Sequence, residues 1–251
     1  SSQDTFPTDI VFNPSGAKMY VVGNGTDKIY EYDLSTANDV STAVYNSVSF
    51  DNSSQATDAT GVVFNNDGTK MYIVSGGLSR FVYQYSLSTA YNVSSASYDS
   101  VSLNVGNEST DPTDLRFNND GSKLFVLQAA SADSVFQYSL TSNFDLSTAS
   151  YDSVSFSVSG QETTPTSLAF NSDGTKMFIL GIAADAVFQY SLSSAFNLSN
   201  VSYDNVSFDV SSQENQPRGL AFNNYGDKLY VVGYAQDTVY QFSTGTAAGD
   251  Y

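Results

Sequence analysis

Apolar and polar positions alternate in short runs along the whole chain, and the runs return at a fixed spacing. The segment FNNDGTKMYIV at residues 64–74 has close copies starting at Phe12, Phe117, Phe170 and Phe222, at intervals of 52, 53, 53 and 52 residues. In the second copy Gly61-Val62-Val63-Phe64 leads into Asn65-Asn66-Asp67-Gly68 and then Lys70-Met71-Tyr72-Ile73-Val74. Asn, Asp and Gly tolerate the positive φ of a tight turn, so each copy predicts a β-hairpin, with Gly16, Gly68, Gly121, Gly174 and Gly226 at the turns. A third strand is predicted from Lys28, Phe81, Ser134, Ala186 and Thr238, where β-branched and aromatic residues flank Glu31, Gln84, Gln137, Gln189 and Gln241. A serine-rich connection leads to a fourth, at Tyr45, Tyr98, Tyr151 and Tyr203, whose apolar/Ser alternation suits an outer strand with one wet face. No stretch has the period of an amphipathic helix.

Four short antiparallel strands in each repeat of roughly 50 residues describe a blade, and blades arranged radially form a β-propeller. The expected fold is therefore all-β: a five-bladed propeller forming a single domain over residues 1–251, with blades at about 1–51, 52–104, 105–157, 158–209 and 210–251. The opening SSQDTFP matches SSQENQP at Ser211–Pro217, so the chain enters blade one at its innermost strand. Pro7, Pro112, Pro165 and Pro217 sit at strand entry, where the missing N–H costs little. The fifth copy has no counterpart to YDSVSF after Gln241-Phe242. Its blade is expected to have three strands, to be patched by the tail Thr244–Tyr251, or to be completed by a strand from elsewhere. An exposed third strand would be a template for strand addition, and hence for self-association.

Net charge is −17 with nine basic residues, five of which are the post-turn lysines Lys18, Lys70, Lys123, Lys176 and Lys228. The repeat spreads them around the fold, which argues against nucleic-acid partners. No apolar run approaches the roughly 20 residues of a membrane span. Cysteine is absent, which removes disulfides and thiolate metal sites. Histidine is absent as well, removing the usual proton shuttle near neutral pH, so an enzyme is not expected. Asp67, Asp120 and Asp173 echo a calcium loop, but no later bidentate Glu follows, and turn chemistry is the better reading. No metal or cofactor is expected.

The DGTKMYIV-like and DTVYQFS-like segments resemble the YVTN and WD-repeat type of propeller blade, as in bacterial or phage-associated surface repeat proteins. The WD dipeptide itself is absent, Gln-Tyr or Glu-Tyr standing in its place. The resemblance implies that inter-blade and second-to-third-strand loops share one face, where ligands bind. Those loops differ between copies: GNGTDK at Gly23, SGGLSRF at Ser75, QAASADS at Gln128, GIAADA at Gly181 and GYAQDT at Gly233. Candidate ligand-binding residues on that face are Asn24, Asp27, Arg80, Asp133, Asp185, Tyr234 and Asp237. The four aspartates recur at one repeat position, with Arg80 taking it in blade two; they read either as a carboxylate ring or as loop-tightening residues. Asn24, Asn52, Asn92, Asn107, Asn197, Asn200 and Asn205 lie in Asn-x-Ser/Thr matches and are candidate glycosylation sites. The expected role is an extracellular or cell- or virion-surface recognition or adhesion module for a glycan or protein; the alternative is a self-associating subunit of a surface layer, fibre or appendage.

Overall fold

The computed structural model describes residues 3–130 and 132–245. Nineteen strands form five antiparallel sheets, each ordered from the axis outward as the chain runs. Blade one holds β1 Pro7–Phe12, β2 Lys18–Gly23, β3 Lys28–Leu34 and β4 Ala43–Asp51. Blade two holds β5 Ala59–Phe64, β6 Lys70–Ser75, β7 Phe81–Leu87 and β8 Ala96–Asn104. Blade three holds β9 Pro112–Phe117, β10 Lys123–Gln128, β11 Ser134–Leu140 and β12 Ala149–Ser157. Blade four holds β13 Pro165–Phe170, β14 Lys176–Gly181, β15 Ala186–Leu192 and β16 Val201–Asp209. Among the described residues blade five has three strands, β17 Pro217–Phe222, β18 Lys228–Gly233 and β19 Thr238–Ser243. The fold is a five-bladed β-propeller, with β1 packed against β17 to close the ring. The suggestion that the tail Thr244–Tyr251 patches the fifth blade falls mostly on residues 246–251, which lie outside the described residues.

The turn chemistry is as the sequence requires. Gly68 adopts φ +71°, Asn65 Oδ1 accepts the Lys70 N–H at 2.9 Å, and Asp67 Oδ1 accepts the Thr69 N–H at 3.0 Å. The Thr69 hydroxyl, which donates to the same carboxylate, and the Thr69 N–H hold the Asp67 carboxyl below its usual range. The glycines are needed for a second reason. A Cβ at Gly174 would lie 2.2 Å from the Phe196 ring, because the connection to the fourth strand folds its aromatic flat over the turn.

The outer strands depart from simple alternation. Each has a bulge at a residue with positive φ, Ser47, Ser100, Ser153 and Asn205, where the register with the third strand shifts. The bulge turns Asp99, Asp152 and Asp204 inward to accept from the Nε2 of Gln84, Gln137 and Gln189. In two of them the other end of the amide reaches the next blade: Gln84 Oε1 accepts from Leu146 N–H and Gln137 Oε1 from Leu198 N–H, both at 3.0 Å. Gln241 does the same for Val40, across the closure. The repeated Gln is thus a latch between blades.

The cores lie in the seams between blades. Between blades three and four, Phe125, Leu127 and Val135 pack with Leu168, Ile179, Tyr190, Phe196 and Leu198. The hydroxyl of Tyr20 donates to the Tyr91 carbonyl at 2.6 Å, and that of Tyr230 to the Asn38 carbonyl at 2.8 Å, so buried phenols bind blade to blade.

Candidate functional site

Five innermost strands place equivalent residues around the axis, so each position can be compared with its four counterparts. At the second residue of the strand stand Thr8, Thr60, Thr113, Thr166 and, in blade five, Arg218. The four threonine hydroxyls donate to the first carbonyl of the next blade's inner strand, at 3.0–3.2 Å. Arg218 breaks the circle. Its guanidinium lies 5.2 Å above the Tyr234 ring, and Tyr234 is stacked on Phe6 at 5.3 Å. These three residues line a cavity of about 290 Å³ at the channel mouth, on the variable-loop face, with Asn24, Asp58 and Asp111 among its other walls. Asn24 Nδ2 donates to Asp58 Oδ1 at 2.5 Å. Phe6 remains 51% exposed, an aromatic face turned to solvent. Among the described residues Arg218 has no carboxylate within ion-pair distance.

The loops around this mouth are fixed by buried carboxylates from the inter-blade linkers. Glu162 accepts the N–H groups of Thr164, Ala183 and Ala184, and Glu214 those of Gln216 and Gln236. Both are 1% exposed, which makes the irregular face a rigid one.

Below the mouth the channel is filled. The third inner-strand residues are Asp9, Gly61, Asp114, Ser167 and Gly219, and each side chain binds the next blade's backbone. Asp9 Oδ2 accepts from Val62 N–H, Asp114 Oδ2 from Leu168 N–H, and Ser167 Oγ from Leu220 N–H. The two glycines leave room: a Cβ on Gly61 would lie 2.8 Å from Asp114, and one on Gly219 2.7 Å from the Asp9 Cα. Arg116 pairs with Asp114 of its own strand at 2.6 Å, reaches Asp9 of blade one at 3.2 Å, and donates to the Leu220 carbonyl of blade five. Two carboxyls thus share one guanidinium out of water. Burial pushes the Asp114 carboxyl up to about 7, Arg116 opposing the rise and the Asp9 charge adding to it. Burial raises the Asp9 carboxyl too, again against the opposing charge of Arg116.

Of the residues singled out from sequence, Asn24 and Tyr234 meet at the mouth. Asp27, Arg80, Asp133, Asp185 and Asp237 instead occupy one left-handed backbone position, φ 41° to 55°, just before the third strand. In blades one to four the carbonyl at this position accepts an N–H from the end of the outer strand, as Asp27 does from Asn52 at 2.9 Å and Arg80 from Val105 at 3.0 Å. The position is defined by the backbone, which is why arginine fits it. Among the described residues no three His, Cys, Asp or Glu side chains are grouped to hold a metal. Of the glycosylation candidates, Asn107, Asn200 and Asn205 are exposed and Asn24, Asn92 and Asn197 half-buried. Asn52 is fully buried, with its Nδ2 donating to the Ala56 carbonyl at 2.6 Å, so the folded chain offers no glycan acceptor there. Sequence reasoning passed over Phe6, Asp58, Asp111 and Arg218, and the axial Asp9, Asp114 and Arg116. The signal was a column comparison of PTDIVF, ATGVVF, PTDLRF, PTSLAF and PRGLAF, in which Arg116 and Arg218 stand out.

No protein-family model and no curated protein sequence matches the chain. Among the described residues no helix is long and apolar enough to cross a membrane. The fold is similar to solved structures at low identity. A functionally unknown protein from Desulfotomaculum acetoxidans DSM 771 aligns with a TM-score of 0.53 and 12% identity over 96% of this chain and 71% of its own. The propeller domain of Myceliophteria thermophila Cps50 (Swd1) aligns at 0.50 and 10%, over 98% and 68%. A candidate 6-phosphogluconolactonase from Bacteroides uniformis ATCC 8492 aligns at 0.51 and 15%, over 97% of this chain and 66% of its own. That last likeness corrects the expectation that the chain is no enzyme, since propellers of this shape include proteins described as candidate lactonases. The physical fault lay in treating histidine as indispensable: burial can bring a carboxyl to neutrality, as at Asp114, and a carboxyl can then carry the proton. What these likenesses establish is the architecture, a five-bladed β-propeller.

Proposed function

We propose that the chain is a recognition module of a cell or virion surface that binds a glycan at the channel mouth of its variable face. The observation that carries the reading is the single break in the inner circle, where Arg218, Tyr234 and Phe6 replace the repeated pattern opposite Asp58 and Asp111. Repeat symmetry supplies the control: four blades have what the fold needs at this position, and the fifth has something else. A cavity of about 290 Å³ matches one sugar residue or one side chain. Half-exposed aromatics offer an apolar platform, the carboxylates accept bonds from hydroxyls, and Arg218 adds a donor fork. Loops held by buried carboxylates limit the ordering cost of binding.

A glycan array with the wild-type chain and Arg218→Ala, Tyr234→Ala and Asp58→Asn variants tests this. Binding that falls at least tenfold in these variants and persists in Arg80→Ala and Asp133→Asn supports the reading. No glycan bound, or binding indifferent to the mouth variants, overturns it; capture of a protein ligand lost in the same variants moves the site to protein recognition.

A further inference from the structure

We propose that the opposite end of the channel, on the face of the hairpin turns, is a second ligand site: a cavity over Arg116 that takes a small organic carboxylate. It shares no lining residue with the mouth on the variable face, because the inner strands begin at that mouth and end at this one.

Residues three and five of a strand share a face. The fifth residues of the inner strands are Val11, Val63, Arg116, Ala169 and Ala221. Blades four and five therefore carry a methyl where blades one and two carry a valine. On that side lies a cavity of about 430 Å³, with Val11, Arg116, Ala169 and Ala221 among its walls. Small-molecule pockets run from roughly 300 to 1,000 Å³. Two rim amides are already fixed, Asn119 Nδ2 on the Ser172 carbonyl at 2.6 Å and Asn224 Nδ2 on the Pro14 carbonyl at 2.5 Å. The cavity is thus held open by contacts between blades, and a ligand need not order it.

Arg116 sets the sign of the ligand. Its side chain keeps 13% of its surface, and its bonds to Asp9, Asp114, Leu115 and Leu220 are all made by the two terminal nitrogens. The Nε–H donates to no described residue, which leaves one charged donor for an anion. The rim agrees. The third turn residues are Ser15, Asp67, Asp120, Asp173 and Tyr225, so the turn that walls the cavity in blade five has lost the repeated carboxylate. Tyr225 is 63% exposed there, and an anion arriving over blade five meets a ring instead of a like charge. A third carboxylate beside one guanidinium is tolerated only if one of the buried two takes a proton. Asp114 is placed to do so, since burial brings its carboxyl up to about 7 against the pull of Arg116. The groups facing it are Asp9 from β1 and Arg116 from its own strand; β5 and β13 bring no titratable side chain, and Arg218 of β17 stands at the other mouth. Binding that takes up this proton is unaffected by pH well below 7 and weakens above it, by up to tenfold per pH unit.

The probes are benzoate, lactate and N-acetylphenylalanine, titrated into the purified chain by calorimetry with amide NMR shifts as second readout, and N-acetylphenylalaninamide as the uncharged control. The expected result is saturable binding of at least one acid at millimolar concentration or below, with shifts at the ends of β9, β13 and β17 and no binding of the amide. Affinity should fall above about pH 7 in the wild-type chain and stay level from about pH 6 to about pH 9 in Asp114→Asn, a change of pH profile that a merely structural carboxyl would not produce. Ala169→Val and Ala221→Val install the residue that blades one and two carry at this position. Each should weaken binding at least tenfold while the circular dichroism spectrum is unchanged. Failure of all three acids to bind overturns the proposal, as does equal binding of the amide or binding indifferent to the valine variants. Shifts centred on Phe6 and Tyr234 also overturn it, since the acid would then sit on Arg218.

Discussion

The seam between blades three and four and the seam between blades four and five place equivalent aromatic pairs in the same geometry, yet only the first is closed. Phe156 of β12 meets Tyr190 edge-on, with ring centres 5.6 Å apart at 76°. Phe208 of β16 meets Phe242 at 5.1 Å and 78°. Phe156 is half-buried where its counterpart Phe208 is 43% exposed, and Tyr190 is fully buried where its counterpart Phe242 is half-buried. Strand register alone is enough to set how two rings meet. Removing them from water takes the next layer, the turn and outer strand that carry Leu198 and Tyr203 in blade four. A blade therefore completes its predecessor as much as itself.

The sharpest way to break this comparison is to remove one ring from each seam. Tyr190→Ala should lower unfolding free energy by about 3–5 kcal/mol, a fully buried aromatic lost with little collapse. Phe242→Ala should cost roughly 1–2 kcal/mol, because its site is half-open and less of the ring's transfer energy is at stake. Denaturant midpoints at constant m-value read the difference; equal losses would mean that the fifth seam is as closed as the fourth.

Arg116→Met is expected to act on both seams alike, since the guanidinium joins blades one, three and five at the axis. Leaving two carboxyls buried without it should cost about 3–5 kcal/mol at pH 8. The pH dependence has an unusual sign. Asp114 titrates higher folded than unfolded, so the folded state binds the proton more tightly and this group's contribution falls as pH rises from about 4 to about 7, then levels. The wild-type unfolding free energy minus that of Asp114→Asn should decline across that window; a difference that grows with pH would refute the assignment.

Gly174→Ala places a methyl against Phe196 at a positive φ and should cost roughly 1–3 kcal/mol. Gly160→Ala, with nothing within 4 Å of the new Cβ, should be neutral within about 0.5 kcal/mol. Asn119→Ala loses one exposed bond to the Ser172 carbonyl between blades three and four and should cost about 0.5–1 kcal/mol, the smallest effect that thermal melting would resolve.

Much of the fold could be read because repetition multiplies weak signals. One Asn-x-x-Gly between apolar runs suggests a hairpin; five at near-equal spacing require a ring of equivalent blades. The bulge at Ser100 was hidden, since serine carries no mark of positive φ, and it took the pairing with Gln84 to reveal why Asp99 faces inward. The candidate site was read only in part. Asn24 and Tyr234 lie on the loops chosen for their variability, but the repeated aspartates drew attention because they recur, and what recurs at this position serves the turn.

By itself the sequence determined the number of blades, the order of strands and the turn glycines, because all of these follow from local periodicity and from counting. Only the tertiary structure decided that Phe6, Asp58, Asp111 and Arg218 converge at one mouth and that Asp9, Asp114 and Arg116 share one axis. These residues lie as far apart in the chain as Asp9 and Arg116, and residues from different blades become neighbours only when the ring closes. The energetic reason is the same at both places. A charge or an aromatic face acquires its chemistry from what surrounds it, and in a propeller those surroundings are always contributed by another blade.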